Sequence, residues 1–210
     1  HFDDVVGEFI GRRGTARGGE FHPQSFDEVV LRVNQFISRS NQPLPNAALA
    51  QWQYDAAENV MSAIKLDRRV IMAELCARFG KTIWAGALAV ETETPLTIVA
   101  SYVLTSFASF AKDLPAFQQF RELEIVDCSE SDYKEQIEAA LKSGKQTVAF
   151  LSMCGGEKRQ DRIDYLFGLD YQRLVFIDEA DFGAHTDNQA LPFIAAKKSD
   201  DTVVLMTGTN

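Results

Sequence analysis

The chain has 210 residues, 46% hydrophobic and 24% charged, with a formal net charge of −9. This is enough for one domain with an extension around a real core, which excludes a disordered chain, and no apolar run approaches the roughly 18–20 residues of a membrane span. The acidic balance argues against a protein that coats nucleic acid through a general basic field, although it is compatible with a local basic groove. No secretory signal is read at the start. Cys76, Cys128 and Cys154 are odd in number and lack Cys-x-x-Cys spacing. They are expected as reduced thiols of an intracellular, cytoplasmic protein, with those beside strand-like runs acting as core filler.

In chain order, residues 1–45 are expected to form an N-terminal extension and residues 46–210 an α/β domain. The extension opens with "GRRGTARGGEF", a Gly- and Arg-rich loop carrying Arg12, Arg13 and Arg17. "SFDEVVLRVNQFISRS" then has Ser25 as a helix N-cap and apolar residues at helical spacing. Strands are predicted at 69–76, 96–101, 123–128, 146–152, 173–178 and 202–206, in runs rich in Val, Ile and Leu. Their weak alternation predicts burial on both faces. Helical patterns fall between them at Lys81–Glu91, Leu104–Leu114, Asp132–Ser143, Asp161–Phe167 and Asn188–Lys197. Strand–helix alternation of this kind predicts a three-layer α/β fold around a mainly parallel sheet. The beginning at His1 and the stop after "TVVLMTGTN" read as the cut ends of a longer protein.

Gly80-Lys81-Thr82 sits between an apolar strand and the helix "TIWAGALAVE", the context of a phosphate-binding P-loop. Such a loop curls backbone N–H groups around phosphates at a helix N-terminus, and its lysine adds positive charge. The backbone of Ala77, Arg78, Phe79 and Gly80 with the side chains of Lys81 and Thr82 would hold the nucleotide phosphates. The first glycine position of the pattern holds Leu75, however, and Arg78 and Phe79 replace small residues. A bulky residue forced to positive φ there would cost roughly 1–2 kcal/mol. The tripeptide alone is weak, since average usage places it in about one chain in ten of this length, so its flanking elements carry the reading.

"RLVFIDEADFGAH" delivers Asp178 and Glu179 at the carboxyl end of a strand, where open α/β sheets bind ligands. In that place Asp178 would share Mg²⁺ with Thr82, while Glu179 would act as general base toward the attacking water. Two acids after a strand can also be a solvated turn; the lysine loop upstream weighs against that reading.

Asp178-Glu179-Ala180-Asp181 together with the lysine loop resembles the first, RecA-like motor domain of superfamily 2 helicases and translocases, over about residues 46–210. "LAQWQYDAAENV" is similar to the family's adenine-reading segment. The resemblance implies that Gln53 pairs with the adenine edge while Trp52 or Tyr54 packs nearby. "LMTGT" at 205–209 is similar to the motif that couples hydrolysis to strand movement, which implies a coupling role for Thr207, Gly208 and Thr209 with Asp181. Nucleic acid would then lie across Ser101, Tyr102, Thr105 and Ser106 and across Ser152, Gly155 and Gly156, with Lys158, Arg159 and Arg162 as a local positive patch. A solvated helix start explains that patch equally well.

The resemblance implies an ATP- and Mg²⁺-dependent ATPase working on DNA, completed by a second RecA-like domain that supplies arginine fingers. The chain alone would then bind ATP weakly and hydrolyse it slowly. "RFGKT" looks like the loops of phage helicases and restriction-enzyme-like motors. "ASYVLTSFASF" stands where DEAD-box RNA helicases carry Pro-Thr-Arg-Glu-Leu, and Thr-Gly-Thr replaces Ser-Ala-Thr. These departures favour DNA over RNA. The alternatives are a DEAD-like RNA helicase domain and a catalytically lapsed nucleotide-binding module.

Overall fold

A computed structural model describes residues 48–76, 79–102, 106–154, 156–178 and 191–209. The extension proposed for residues 1–45 lies outside this range, as do Ala77, Arg78, Thr105, Gly155, Glu179 and Asp181. The elements run α1 (Gln51–Lys65), β1 (Val70–Cys76), α2 (Lys81–Glu91), β2 (Leu96–Ser101) and α3 (Ser106–Asp113). Two short 3₁₀ turns (Leu114–Ala116 and Gln118–Phe120) lead to β3 (Glu124–Asp127), α4 (Tyr133–Lys142) and β4 (Thr147–Ser152). The chain then forms α5 (Glu157–Gly168), β5 (Arg173–Ile177), α6 (Leu191–Ala196) and β6 (Thr202–Thr209). Relative to the sequence reading, α5 begins earlier and β6 runs three residues further. Among the described residues no helix is long and apolar enough to cross a membrane.

The six strands form one sheet in the order β1-β6-β5-β2-β4-β3, every pair parallel. Parallel neighbours need crossovers, and crossovers of this type are almost always right-handed. The direction of travel across the sheet therefore decides which face each helix covers. Steps from β1 to β2 and from β2 to β3 run one way, and α2 and α3 share a core with α1. The return through β4, β5 and β6 runs the other way, and α4, α5 and α6 cover the opposite face. The central strands alternate between the two cores. Val175 and Ile177 of β5 face α4–α6, whereas Leu174 and Phe176 face α1–α3.

Burial on both faces holds for β2, β4 and β5 but not for β1. Among the described residues that strand is at the sheet edge, paired only with β6, and buries one face through Leu75. Val70 and Met72 point out, Met72 at 64% exposure. Its apolar run misled because an edge strand can be as hydrophobic as a central one while one face stays uncovered.

At the amino edge, Arg173 and Asp201 are both fully buried. The Arg173 guanidinium donates to both Asp201 oxygens (3.2 and 3.3 Å) and to the carbonyls of Leu166, Phe167 and Leu169. Asp201 also accepts the N–H groups of Arg173 and Lys198. Every charge is thus met by hydrogen bonds, the condition under which a buried pair is tolerated.

Candidate functional site

Because all strands are parallel, their carboxyl ends lie on one edge of the sheet. Adjacent order then gathers the turn after β1, the end of β6, Asp178 after β5, Tyr102 after β2 and Cys154 after β4. Neighbouring β5 and β2 lead to helices on opposite faces, the arrangement that opens a ligand crevice in such sheets.

The turn after β1 is built without a glycine at its start. Leu75 is extended strand, 2% exposed and set in the core, so the strain considered for that position does not arise. Among the described residues only Asp67 and Glu93 are non-glycines at positive φ, which leaves Phe79 in ordinary backbone. The left-handed position falls on Gly80, the N-cap of α2, with φ +81°. A Cβ there would approach the movable amide end of Gln53, Nε2, to 2.8 Å, so it is the left-handed conformation that demands glycine. Trp84 N–H donates to Gly80 C=O (3.1 Å) and closes the first turn of α2.

Lys81 opens that helix, and its Nζ donates to Asp178 Oδ1 at 3.0 Å. Both side chains are mostly withdrawn from solvent, at 23% and 17% exposure. Asp178 N–H is anchored on Ala100 C=O at 2.9 Å. Thr82 follows in the same turn, half-buried. β1–β6 pairing places Thr207 opposite Glu74 and Gly208 opposite Leu75, and a Cβ on Gly208 would lie 3.8 Å from Lys81 Nζ. Lysine, carboxylate and the 207–208 segment therefore meet at one point.

Gln53 does not face solvent. Its Oε1 accepts Ala50 N–H (2.8 Å) at the start of α1, and its Nε2 donates to Phe79 C=O (2.6 Å). Both ends of the amide are thus held by the protein, one of them by the loop. The resemblance left Trp52 and Tyr54 as alternatives, and the two rings lie in different surroundings. Trp52 meets the Phe79 ring at 4.8 Å. Tyr54 instead lines a cavity of about 420 Å³ with Glu58, Met61, Lys65, Ala87 and Glu91, between α1 and α2 and away from Lys81.

Further along the edge, Ser101 is only 1% exposed and its C=O accepts Met153 N–H (2.9 Å), so it lies beneath the surface. Tyr102 and Ser152 are half-buried, and Gly156 caps α5 at φ 53°. Arg159 Nη1 donates to Met153 C=O (3.2 Å), while Arg159 Nε and Tyr102 Oη are buried with no hydrogen-bond partner among the described residues. Burial raises the Tyr102 pKa against the opposing pull of Arg159, which keeps the phenol a neutral donor.

Core filler is the right description for Cys128 but not for Cys76 or Cys154, which are exposed. Three features escaped the sequence reading: the ring contacts around Phe79, the partner of Gln53, and the Arg173–Asp201 pair. The Trp52–Phe79 contact, the Gln53–Phe79 bond and the Arg173–Asp201 pair join residues far apart in the chain, with no local signal beyond an unexpected aromatic in the loop.

No protein-family model matches the chain, and no curated protein matches it with significance.

Proposed function

We propose that the described domain is a RecA-like P-loop nucleotide-binding unit, the ATP-binding motor domain of a nucleic-acid-dependent ATPase of DNA helicase or translocase type. The observation that carries this reading is the 3.0 Å approach of Lys81 to Asp178, two residues 97 apart in sequence, directly above the glycine-capped start of α2. A lysine at a helix N-terminus attracts phosphate, and a carboxylate beside it is suited to a hard cation.

In this reading Gly80 and the N–H groups at the start of α2 bind phosphate oxygens, and Lys81 leaves Asp178 to neutralise them. Thr82 and Asp178 would hold Mg²⁺. Their hydroxyl and carboxylate oxygens fit that ion, which usually takes one or two carboxylates plus phosphates and water rather than a full protein cage. Among the described residues there is no cluster of three or more His, Cys, Asp or Glu side chains able to hold a metal. When bound, the ion would offset charge on the β- and γ-phosphates. Glu179 would orient and deprotonate the attacking water, and Thr207, Gly208 and Thr209 with Asp181 would sense the outcome. Gln53 and Trp52 would meet the adenine. Ser152, Gly156 and the Arg159 guanidinium offer donors for nucleic-acid phosphates along the same edge, whereas the buried Tyr102 hydroxyl does not reach it.

Titration of the chain with ATP and Mg²⁺ tests the reading, followed by hydrolysis assays with duplex DNA, single-stranded DNA or RNA. Lys81→Ala is expected to weaken ATP binding by about tenfold or more, the loss of one charge-assisted contact, and the slow turnover of the unaltered chain is expected to rise, while staying slow, when DNA is added. Equal affinity in both chains, or no binding at all, would overturn it. Stimulation by RNA alone would assign the track to RNA.

A further inference from the structure

We propose that Phe79 is a positioning residue: an aromatic clamp on its side chain pre-forms the turn that presents Gly80 and Lys81, in place of the glycines that usually shape such a loop. The proposal rests on the nucleotide-site reading above and specifies how this particular loop reaches its binding geometry.

Phe79 is held at every group it has. Its N–H donates to Cys76 C=O (3.1 Å), its C=O accepts Gln53 Nε2 (2.6 Å), and its ring is 5% exposed. The ring meets Trp52 edge-on at 4.8 Å and Trp84 at 5.7 Å. Trp84 is fully buried, continues to Phe176 at 6.1 Å, and donates its indole N–H to Gln53 C=O (3.1 Å). Phe176 lies two residues before Asp178. The circuit therefore joins α1, the loop, the first turn of α2 and the end of β5, and the Lys81–Asp178 pair closes it.

A loop shaped by glycines samples many conformations and loses that freedom on binding phosphate. Residue 79 has already lost it, so the entropy of ordering this part of the loop is met by aromatic contact in the folded chain. Affinity scales with the fraction of molecules whose loop is already competent. Loosening the clamp should weaken nucleotide binding without any contact to nucleotide being removed.

The test uses the whole chain and two variants, Phe79→Ala and the more conservative Phe79→Leu. Hydrogen exchange of the amides at 79 and 84 is measured in nucleotide-free protein, with Cys128 and Met153 amides as references on other strand ends. ATP affinity is then measured for the same proteins. We expect protection at 79 and 84 to be almost abolished in Phe79→Ala and only lowered in Phe79→Leu, with the references unchanged. Kd for ATP should rise about tenfold in Phe79→Ala, where the loop is competent about a tenth of the time, and little in Phe79→Leu, whose loop stays mostly closed. Equal losses at all four amides, no loss at 79 and 84, or a Kd that ignores the loss of protection would each overturn the proposal. If the altered exchange is found but the unaltered chain binds no nucleotide, Phe79 still sets the turn and the functional reading is what falls.

Discussion

At residue scale, the three cysteines show how position along a strand separates reactivity from packing. Cys128 follows β3, 1% exposed, and burial with help from Asp127 pushes its thiol up to about 12, against the opposing pull of Arg162. The thiolate is the reactive form. Cys76 and Cys154 should therefore react with a disulfide reagent in the native chain, and Cys128 only after unfolding. The same group makes stability depend on pH. In the unfolded chain the thiol ionises near its ordinary value of 9.0, while the folded thiol stays neutral to about 12. Its contribution is complete below pH 9 and is lost as pH rises toward 12, because only the unfolded state then releases the proton. Urea midpoints from pH 8 to 11 should fall more steeply for the native sequence than for Cys128→Ala.

At the scale of the element, β1 separates what hydrophobicity predicts from what position allows. Val70, Met72 and Leu75 are equally apolar in the sequence, yet only Leu75 points into a core. Leu75→Ala should cost about 2–5 kcal/mol through the cavity it leaves. Met72→Lys, on the uncovered face, should change stability by no more than about 0.5 kcal/mol. Equal costs in urea unfolding would mean that both faces of β1 are buried. Helix α1 shows the complementary case. Its pattern is an ordinary amphipathic helix, but Gln53 at its start belongs to the loop 26 residues away as much as to the helix.

For the whole molecule, a parallel sheet has two unlike edges, and this chain uses them differently. The carboxyl edge carries Lys81, Asp178 and the 207–208 segment. The amino edge carries the Arg173–Asp201 pair, whose charges are satisfied within the protein. Asp201→Asn would strand a buried guanidinium and should destabilise the fold by about 3–5 kcal/mol, with ATP affinity of the remaining folded protein unchanged. Lys81→Ala should do the reverse, since a partly exposed pair contributes about 0–1 kcal/mol to stability. Measuring both properties for both variants checks that site and scaffold are separable. A loss of affinity in Asp201→Asn would show that they are not.

By itself the sequence determined the parallel α/β sheet, the approximate place of every strand, the helix that opens at Gly80-Lys81-Thr82, and the position of Asp178 at a strand end. These follow from short apolar runs, turn residues and helix starts, which are local signals a few residues long. Only the tertiary structure decided the strand order, the uncovered face of β1, the ion pair between Lys81 and Asp178, the partners of Gln53, and the clamp on Phe79. The ion pair, the Gln53–Phe79 bond and the Trp52–Phe79 contact join residues tens of positions apart, and local propensity carries no information about which distant element will be the neighbour. The aromatic in the loop illustrates the division. In sequence Phe79 looked like a departure from a glycine-rich pattern, because the rings that receive it come from α1 and α2.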